Sequence, residues 1–294
     1  MVVQQDRGGG AALAVCALAV AGVMAVTAGC SGDSGGGEAR GGQLRAGPPG
    51  AGGPGETLRR VADVLAAAGS AELRTSMETA SGGTRVTIRG QGTYDFRRQL
   101  GQVRVVLPKD AAGETGHRPI TELLAPGALY MKNRGAGVPD EKWVRVDTTA
   151  LEDGNLVTGG VTDPMAAAEL LRGARAVTYE GETELAGVTV HHYRGTADLG
   201  RAAGAASAES RGALTAAAKG FSTDSVPFDA YLDEDGRLRK VRHRFTFASE
   251  GPAVAVVSTM LLYGFGVPVT VRLPDRGDIY TGLIQQGQGG EGDR

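Results

Sequence analysis

The chain has 294 residues, a formal net charge of −2 at pH 7, 41% apolar residues and 5% aromatic ones. That near balance of charge excludes the basic footprint that nucleic acid requires, and the length and apolar content allow one sizeable core. The two cysteines are Cys16 and Cys30, too few for a disulfide framework.

Between Arg7 and Asp33 no side chain is charged, and Ala11 to Val26 is almost wholly Ala, Val and Leu. The run ends in Thr27-Ala28-Gly29-Cys30, which resembles a bacterial lipobox: small residues let the protease reach the bond before the cysteine, and the thiol takes a diacylglyceryl thioether. Thr27 stands where Leu or Val is commoner. The alternative is an uncleaved membrane anchor, since the run is near the length that spans a bilayer. The lipobox reading makes 1–29 a signal peptide and Cys30 the lipidation site, with the mature chain anchored by lipid on the outer face of the cytoplasmic membrane. Cys16 then leaves with the signal, and the mature chain holds itself together by burial.

Residues 30–55 read as the lipidated cysteine and a Gly/Pro-rich tether, too polar to offset its own ordering entropy. Gly32-Asp33-Ser34-Gly35-Gly36 matches the surroundings of a trypsin-like serine nucleophile, but it has no strand scaffold and no His or Asp partner.

The ordered domain is expected over 56–282, with a flexible tail at 283–294. Leu58, Val61, Ala62, Leu65 and Ala68 recur at helical spacing, with Arg59, Arg60 and Asp63 opposite and Gly69 closing the helix. The period then becomes two. Leu73, Thr75, Met77 and Thr79 alternate with Glu72, Arg74, Ser76 and Glu78. Val86 and Ile88 alternate with Arg85, Thr87 and Arg89, and Val103, Val105 and Leu107 with Gln102 and Arg104. These are strands with one wet face, an antiparallel meander. Shorter strands are predicted at 120–124, 128–132 and 142–146. Asp163 and Pro164 are the N-cap and first residue of a second helix that ends near Gly173. A hairpin over 176–196 turns at Ala186-Gly187. The Ala-rich segment 198–219, interrupted by Gly200, Gly204 and Gly212, reads as a poor helix and a loosely packed lid or crossover. Strands return with Val226, Phe228, Ala230 and Leu232, then Val241, Phe245 and Phe247, then 253–263 and 267–271. The turn Asp233-Glu234-Asp235-Gly236 is no calcium loop, because Tyr231 and Arg242 stand where such a loop needs oxygen donors.

No chemistry of the enzymatic kind emerges. His117, His191, His192 and His243 show no metal-ligand spacing, the carboxylates are scattered over wet faces and turns, and no phosphate-binding glycine loop is present. The expectation is a protein that is not an enzyme and holds neither metal nor cofactor.

Several short motifs, weak singly, stand in a telling order: the lipobox and tether, Lys142-Trp143-Val144-Arg145-Val146-Asp147, Asp163-Pro164, His192-Tyr193-Arg194-Gly195, Val226-Pro227-Phe228-Asp229-Ala230-Tyr231, Asp235-Gly236-Arg237-Leu238, and Tyr263-Gly264-Phe265-Gly266-Val267-Pro268-Val269. Together they resemble the actinobacterial LppX/LprG-type lipoproteins, which share a half-barrel fold with the LolA carriers. Tyr231 replaces a common tryptophan, and Gly264 a common acidic residue. The resemblance covers Glu56 to Gly282. It implies an α+β fold, a curved antiparallel half-barrel sheet packed on helices at its concave face, with a lipid or glycolipid held between them. The apolar strand faces then nominate cavity walls: Met77, Val86, Ile88, Val105, Leu107, Met131, Val190, Phe228, Phe245, Phe247, Met260 and Leu262. The same residues serve equally as a dry core, in which case the molecule is an interaction or signalling lipoprotein with a protein partner.

Overall fold

In the computed structural model of the chain the described residues are 52–81, 83–108, 118–134, 137–158, 161–247 and 254–282. The signal segment, Cys30, nearly all of the tether, His117 and the tail at 283–294 lie outside them. Two short helices come first, α1 (Pro54–Arg59) and α2 (Val61–Ala68), divided at Arg60 where one helix was predicted. Pro54 opens α1. Gly69 closes α2 at φ 87°, its N–H donating to the Leu65 carbonyl.

A meander follows: β1 (Ser70–Ser81), β2 (Thr84–Asp95), β3 (Leu100–Val106), β4 (Ile120–Ala125), β5 (Ala128–Lys132) and β6 (Trp143–Asp147). Next come α3 (Pro164–Leu170) with a 3₁₀ turn at Leu171–Gly173, then β7 (Ala174–Leu185) and β8 (Val188–Asp198). Helices α4 (Leu199–Ala205) and α5 (Ala208–Gly220) lead into β9 (Ser225–Leu232), β10 (Leu238–Phe247) and β11 (Val254–Tyr263). The eleven strands make one open, curved antiparallel sheet in the order β6-β5-β4-β3-β2-β1-β11-β10-β9-β8-β7. Every neighbouring pair is consecutive in sequence except β1 and β11, which pair from Glu72↔Tyr263 to Ala80↔Ala255. This is the fold class the sequence led us to expect.

Period two sorts the side chains cleanly. Ala71, Leu73, Thr75 and Met77 of β1 turn inward with Tyr94 and Gly90 of β2, Val103 and Val105 of β3, and Met260 and Leu262 of β11. Arg74, Arg89, Gln91 and Arg104 point outward. The core lies between the inner face and the helices, and Leu58, Leu65, Leu170, Leu199 and Leu214 are each fully buried in it.

Beyond the break at Arg60, the fold departs from the sequence reading in two further places. The Ala-rich segment is two well-packed helices rather than a loose lid. Asp198 caps α4 by accepting from the Arg201 N–H, and small residues let α5 lie close against the loop after β6. There Gly154, at φ 58°, sits so near α5 that a Cβ would overlap the Ala213 carbonyl oxygen. Second, 267–271 is not a strand. Both edges of β11 are already occupied, by β1 and β10, and the chain leaves the sheet through positive φ at Gly264 and Gly266. It runs on to hook the edge strand β6, where the Tyr280 N–H donates to the Trp143 carbonyl at 2.8 Å. Among the described residues no helix is long and apolar enough to cross a membrane.

Candidate functional site

The inner face is filled over its middle by the segment between β6 and α3. Asp153 starts this segment, its carboxylate accepting from the N–H groups of Asn155, Val157 and Thr158. Leu156 and Val161 are buried, and Thr162 Oγ1 shares a 2.7 Å hydrogen bond with Ser258 Oγ of β11. Gly90 makes room for this approach: a Cβ there would stand 2.9 Å from Thr75 Oγ1 and 3.1 Å from Val161. Asp163 then caps α3 through the N–H groups of Met165 and Ala166, and accepts from the Tyr94 hydroxyl of β2 at 3.0 Å. Burial, then the Asp163 charge, pushes the Tyr94 hydroxyl pKa well up, so that hydroxyl stays a donor.

Toward one end of the inner face a cleft of about 330 Å³ remains open between the first two helices and the β8–β9 region. Val64, Tyr193 and Leu232 give it an apolar lining, while Arg60, His191 and the turn 233–236 supply its polar groups. Tyr193 and Leu232 are 1% exposed, held by the β8–β9 ladder through Tyr193↔Ala230 and His191↔Leu232. Tyr179 closes the β7 side, its hydroxyl 3.2 Å from His191 Nδ1 and its ring 5.4 Å from that of Tyr193. Burial, and then the neighbouring Tyr179, pushes the Tyr193 hydroxyl up to about 12. At the turn, Asp233 accepts from the Arg237 N–H and guanidinium, so the hairpin reading of this acidic loop holds. The arrangement suits an amphiphile, with apolar surface inside and hydrogen-bonding groups around it.

The nominated wall residues fare differently. Met77, Val105, Met131, Phe228, Phe245, Met260 and Leu262 all belong to the packed core, and none of the twelve lines the cleft. Ile88 and Leu107 are half-buried against that core, and Val86 is 39% exposed, because burial falls off toward the β1–β2 turn. These three belong to a half-open rim rather than to a cavity wall. Val190 is a correction too. It alternates with His191 and Tyr193, which puts it on the side of His192 and Arg194, and it stands apart from the main core cluster. Phe247 ends β10, and its side chain lies outside the described residues. Sequence reasoning missed Val64 and put Arg60 on the helix face away from the core. The β8 signal, His191 and Tyr193 alternating with His192, was present, but nothing local says that α1 and α2 come to lie over it.

Two titratable groups of the inner face hold buried polar atoms with no hydrogen-bond partner. Glu122 is 0% exposed, neither carboxyl oxygen has a hydrogen-bond partner, and Arg134 stands 3.7 Å away; burial lifts its pKa to about 8. His243 is buried with Nε2 unpartnered, and burial drives its pKa down to about 3. Neither lines the cleft. Among the described residues no group of three His, Cys, Asp or Glu could hold a metal ion.

No family model and no curated protein matches this sequence. Solved structures do resemble it at low identity. The lipoprotein LppX of Mycobacterium tuberculosis is 11% identical, with a TM-score of 0.43, over 74% of this chain and 97% of that one. LprF of Mycobacterium bovis is 13% identical, with a TM-score of 0.40, over 75% and 96%. A LolA superfamily protein of Nitrosomonas europaea is 13% identical, with a TM-score of 0.33, over 77% and 97%.

Proposed function

We propose that this chain is an exported lipoprotein, anchored through Cys30 to the outer face of the cytoplasmic membrane, that carries an acyl chain or similar apolar ligand in the cleft beside α1 and α2. It binds and releases the ligand without transforming it. The observation that carries this reading is the 330 Å³ opening between helices and inner sheet face, apolar in lining and polar in part of its boundary. Its volume falls in the range of small-molecule pockets, roughly 300–1,000 Å³. Each methylene moved there from water contributes about 0.8 kcal/mol, so affinity needs no specific polar contact. The ordered motifs from the lipobox to Tyr263-Gly264-Phe265 support an LppX/LprG-type assignment, and with it a lipid or glycolipid ligand. A second reading, a partner-binding lipoprotein with a filled core, is favoured by one fact: seven of the nominated wall residues are packed in the core.

The test is uptake of a fluorescent fatty acid by wild type and by Val64→Trp, alongside thermal melts. Val64 is half-buried at the cleft, so the indole should occupy the ligand's space, weaken uptake at least tenfold and leave the melting temperature within a few degrees. Wild type that takes up no fatty acid would remove the carrier reading and leave the partner-binding one. The anchor is tested separately: Cys30→Ala should abolish metabolic lipid labelling, and persistent labelling would refute the lipobox.

A further inference from the structure

The outer face of the sheet holds a feature that the carrier reading does not use. Arg74, Arg89 and Arg104, on three adjacent strands, line one depression of about 410 Å³ together with Gln91 and Val106. Register explains the convergence. Arg74, Gln91 and Arg104 form a single cross-strand row, and Arg89 lies one step along β2, diagonal to both outer arginines. Diagonal neighbours are roughly 7–8 Å apart at the backbone, within reach for guanidinium groups to share one ligand.

Several other arginines on this sheet meet a counter-charge. Arg85 pairs with Glu78 at 2.7 Å, and Arg194 and Arg244 both meet Asp229. Arg74, Arg89 and Arg104 are in no ion pair among the described residues; Arg74 only lies over the Tyr263 ring, 5.3 Å from its centre. Like charges set as cross-strand neighbours destabilise a sheet, and none of the three has an ion-pair partner among the described residues.

We propose that this depression binds a phosphoryl anion. Guanidinium forks match the oxygens of a phosphate group bidentately, and three of them exceed what a single carboxylate could engage. The Gln91 amide adds a neutral donor between two of the forks. The volume leaves space for whatever carries the phosphate, against an edge formed by Val106, which is 53% exposed. A phospholipid headgroup and a free phosphate compound share this chemistry.

The full chain and its Arg74→Gln/Arg89→Gln/Arg104→Gln variant should be titrated in two arms at fixed ionic strength. One arm uses vesicles of phosphatidylglycerol with phosphatidylcholine, against phosphatidylcholine alone. The other uses inorganic phosphate and pyrophosphate. Any anchor at Cys30 acts equally in both proteins, so the difference between them reports the arginines. A control, Lys132→Gln/Arg145→Gln/Lys240→Gln, removes the same charge elsewhere on this face. If the site takes a headgroup, the arginine variant loses roughly 100-fold in binding to the anionic vesicles and the control far less. If it takes free phosphate, phosphate or pyrophosphate binding disappears in the arginine variant alone. The single Arg89→Gln should lose roughly five- to tenfold and guards against a fold defect in the triple. Equal losses from both triple variants, or no binding by wild type in either arm, would overturn the proposal.

Discussion

Asp229 and Glu122 are both carboxylates in mid-strand, both nearly shut off from water, and they stand on opposite faces of the same sheet. Asp229, on the outer face, accepts from His192 Nε2 and Arg194 Nε at 3.0 Å and from Arg244 Nη2 at 2.6 Å. Burial would raise its pKa, but Arg244, His192 and Arg194 together hold it down to about 2. Glu122, on the inner face, has Val103 and Met131 as its cross-strand neighbours, and its pKa rises to about 8. Burial costs both groups; the supply of donors separates them. An outer-face carboxylate can be reached by long side chains from the strands on either side, whereas on the inner face Glu122 has apolar cross-strand neighbours and a single cation, Arg134, 3.7 Å away and not hydrogen-bonded to it. The histidines repeat the contrast. His192 stacks on Tyr231 with ring centres 4.3 Å apart and bonds Asp229, while His243 faces Phe228 and Phe245 with Nε2 unpartnered.

The largest effect should come from Glu122→Gln. The folded state keeps a proton on Glu122 that the unfolded chain releases above its ordinary carboxylate range. Stability therefore falls as pH rises from about 4.5 to about 8, by about 4 kcal/mol in all. The amide cannot ionise, so the variant should match wild type near pH 4.5 and exceed it by about that amount at pH 8, read by denaturant melts across the range. Equal pH profiles for the two proteins would show that Glu122 has donors in solution and would erase the contrast.

A smaller and opposite change is expected from Asp229→Asn. Two guanidinium groups and the His192 ring then surround an uncharged amide. The loss should be about 2 kcal/mol, short of the figure for a fully buried pair because the Arg194 and Arg244 side chains are 58% and 37% exposed. The pH sign reverses as well. Asp229 is depressed, so its contribution is present above about pH 3.8 and is lost as pH falls toward 2, and the gap between variant and wild type should close over that window. A gap that persists at pH 2 would mean that the cluster acts through packing alone.

Much of the sheet was legible because burial on one face imposes period two, and β1, β2, β9 and β10 carry it plainly in Leu73-Thr75-Met77 and Val226-Phe228-Ala230. The cap at Asp163 and the turn at Ala186-Gly187 were legible from local chemistry. The helices of 199–220 were not. Their glycines count against a helix on propensity, yet Gly212 and Gly220 sit where α5 meets Thr149 and Glu152 closely, a requirement visible only once both segments are in place. The cleft was equally hidden, since Val64 and Leu232 come together across 168 residues. The arginine row could have been read from alternation, but not its lack of counter-charge, which depends on where Glu78 and Asp229 find their partners.

The one non-consecutive pairing, β1 with β11, sets the order in which this molecule can be completed. β1 to β6 and β7 to β11 are each a run of neighbours that zip locally and fast, but the seam joins residues nearly 190 positions apart and must wait for the last strand. Until then both halves present a raw edge: nine ladder positions of β1, from Glu72 to Ala80, in the first half and the matching edge of β11 in the second. A chain that emerges N-terminus first would display the β1 edge longest. Chaperone capture or self-association during folding should therefore be aimed at that strand, and a truncation that removes β11 should promote aggregation while leaving every residue of the first half intact.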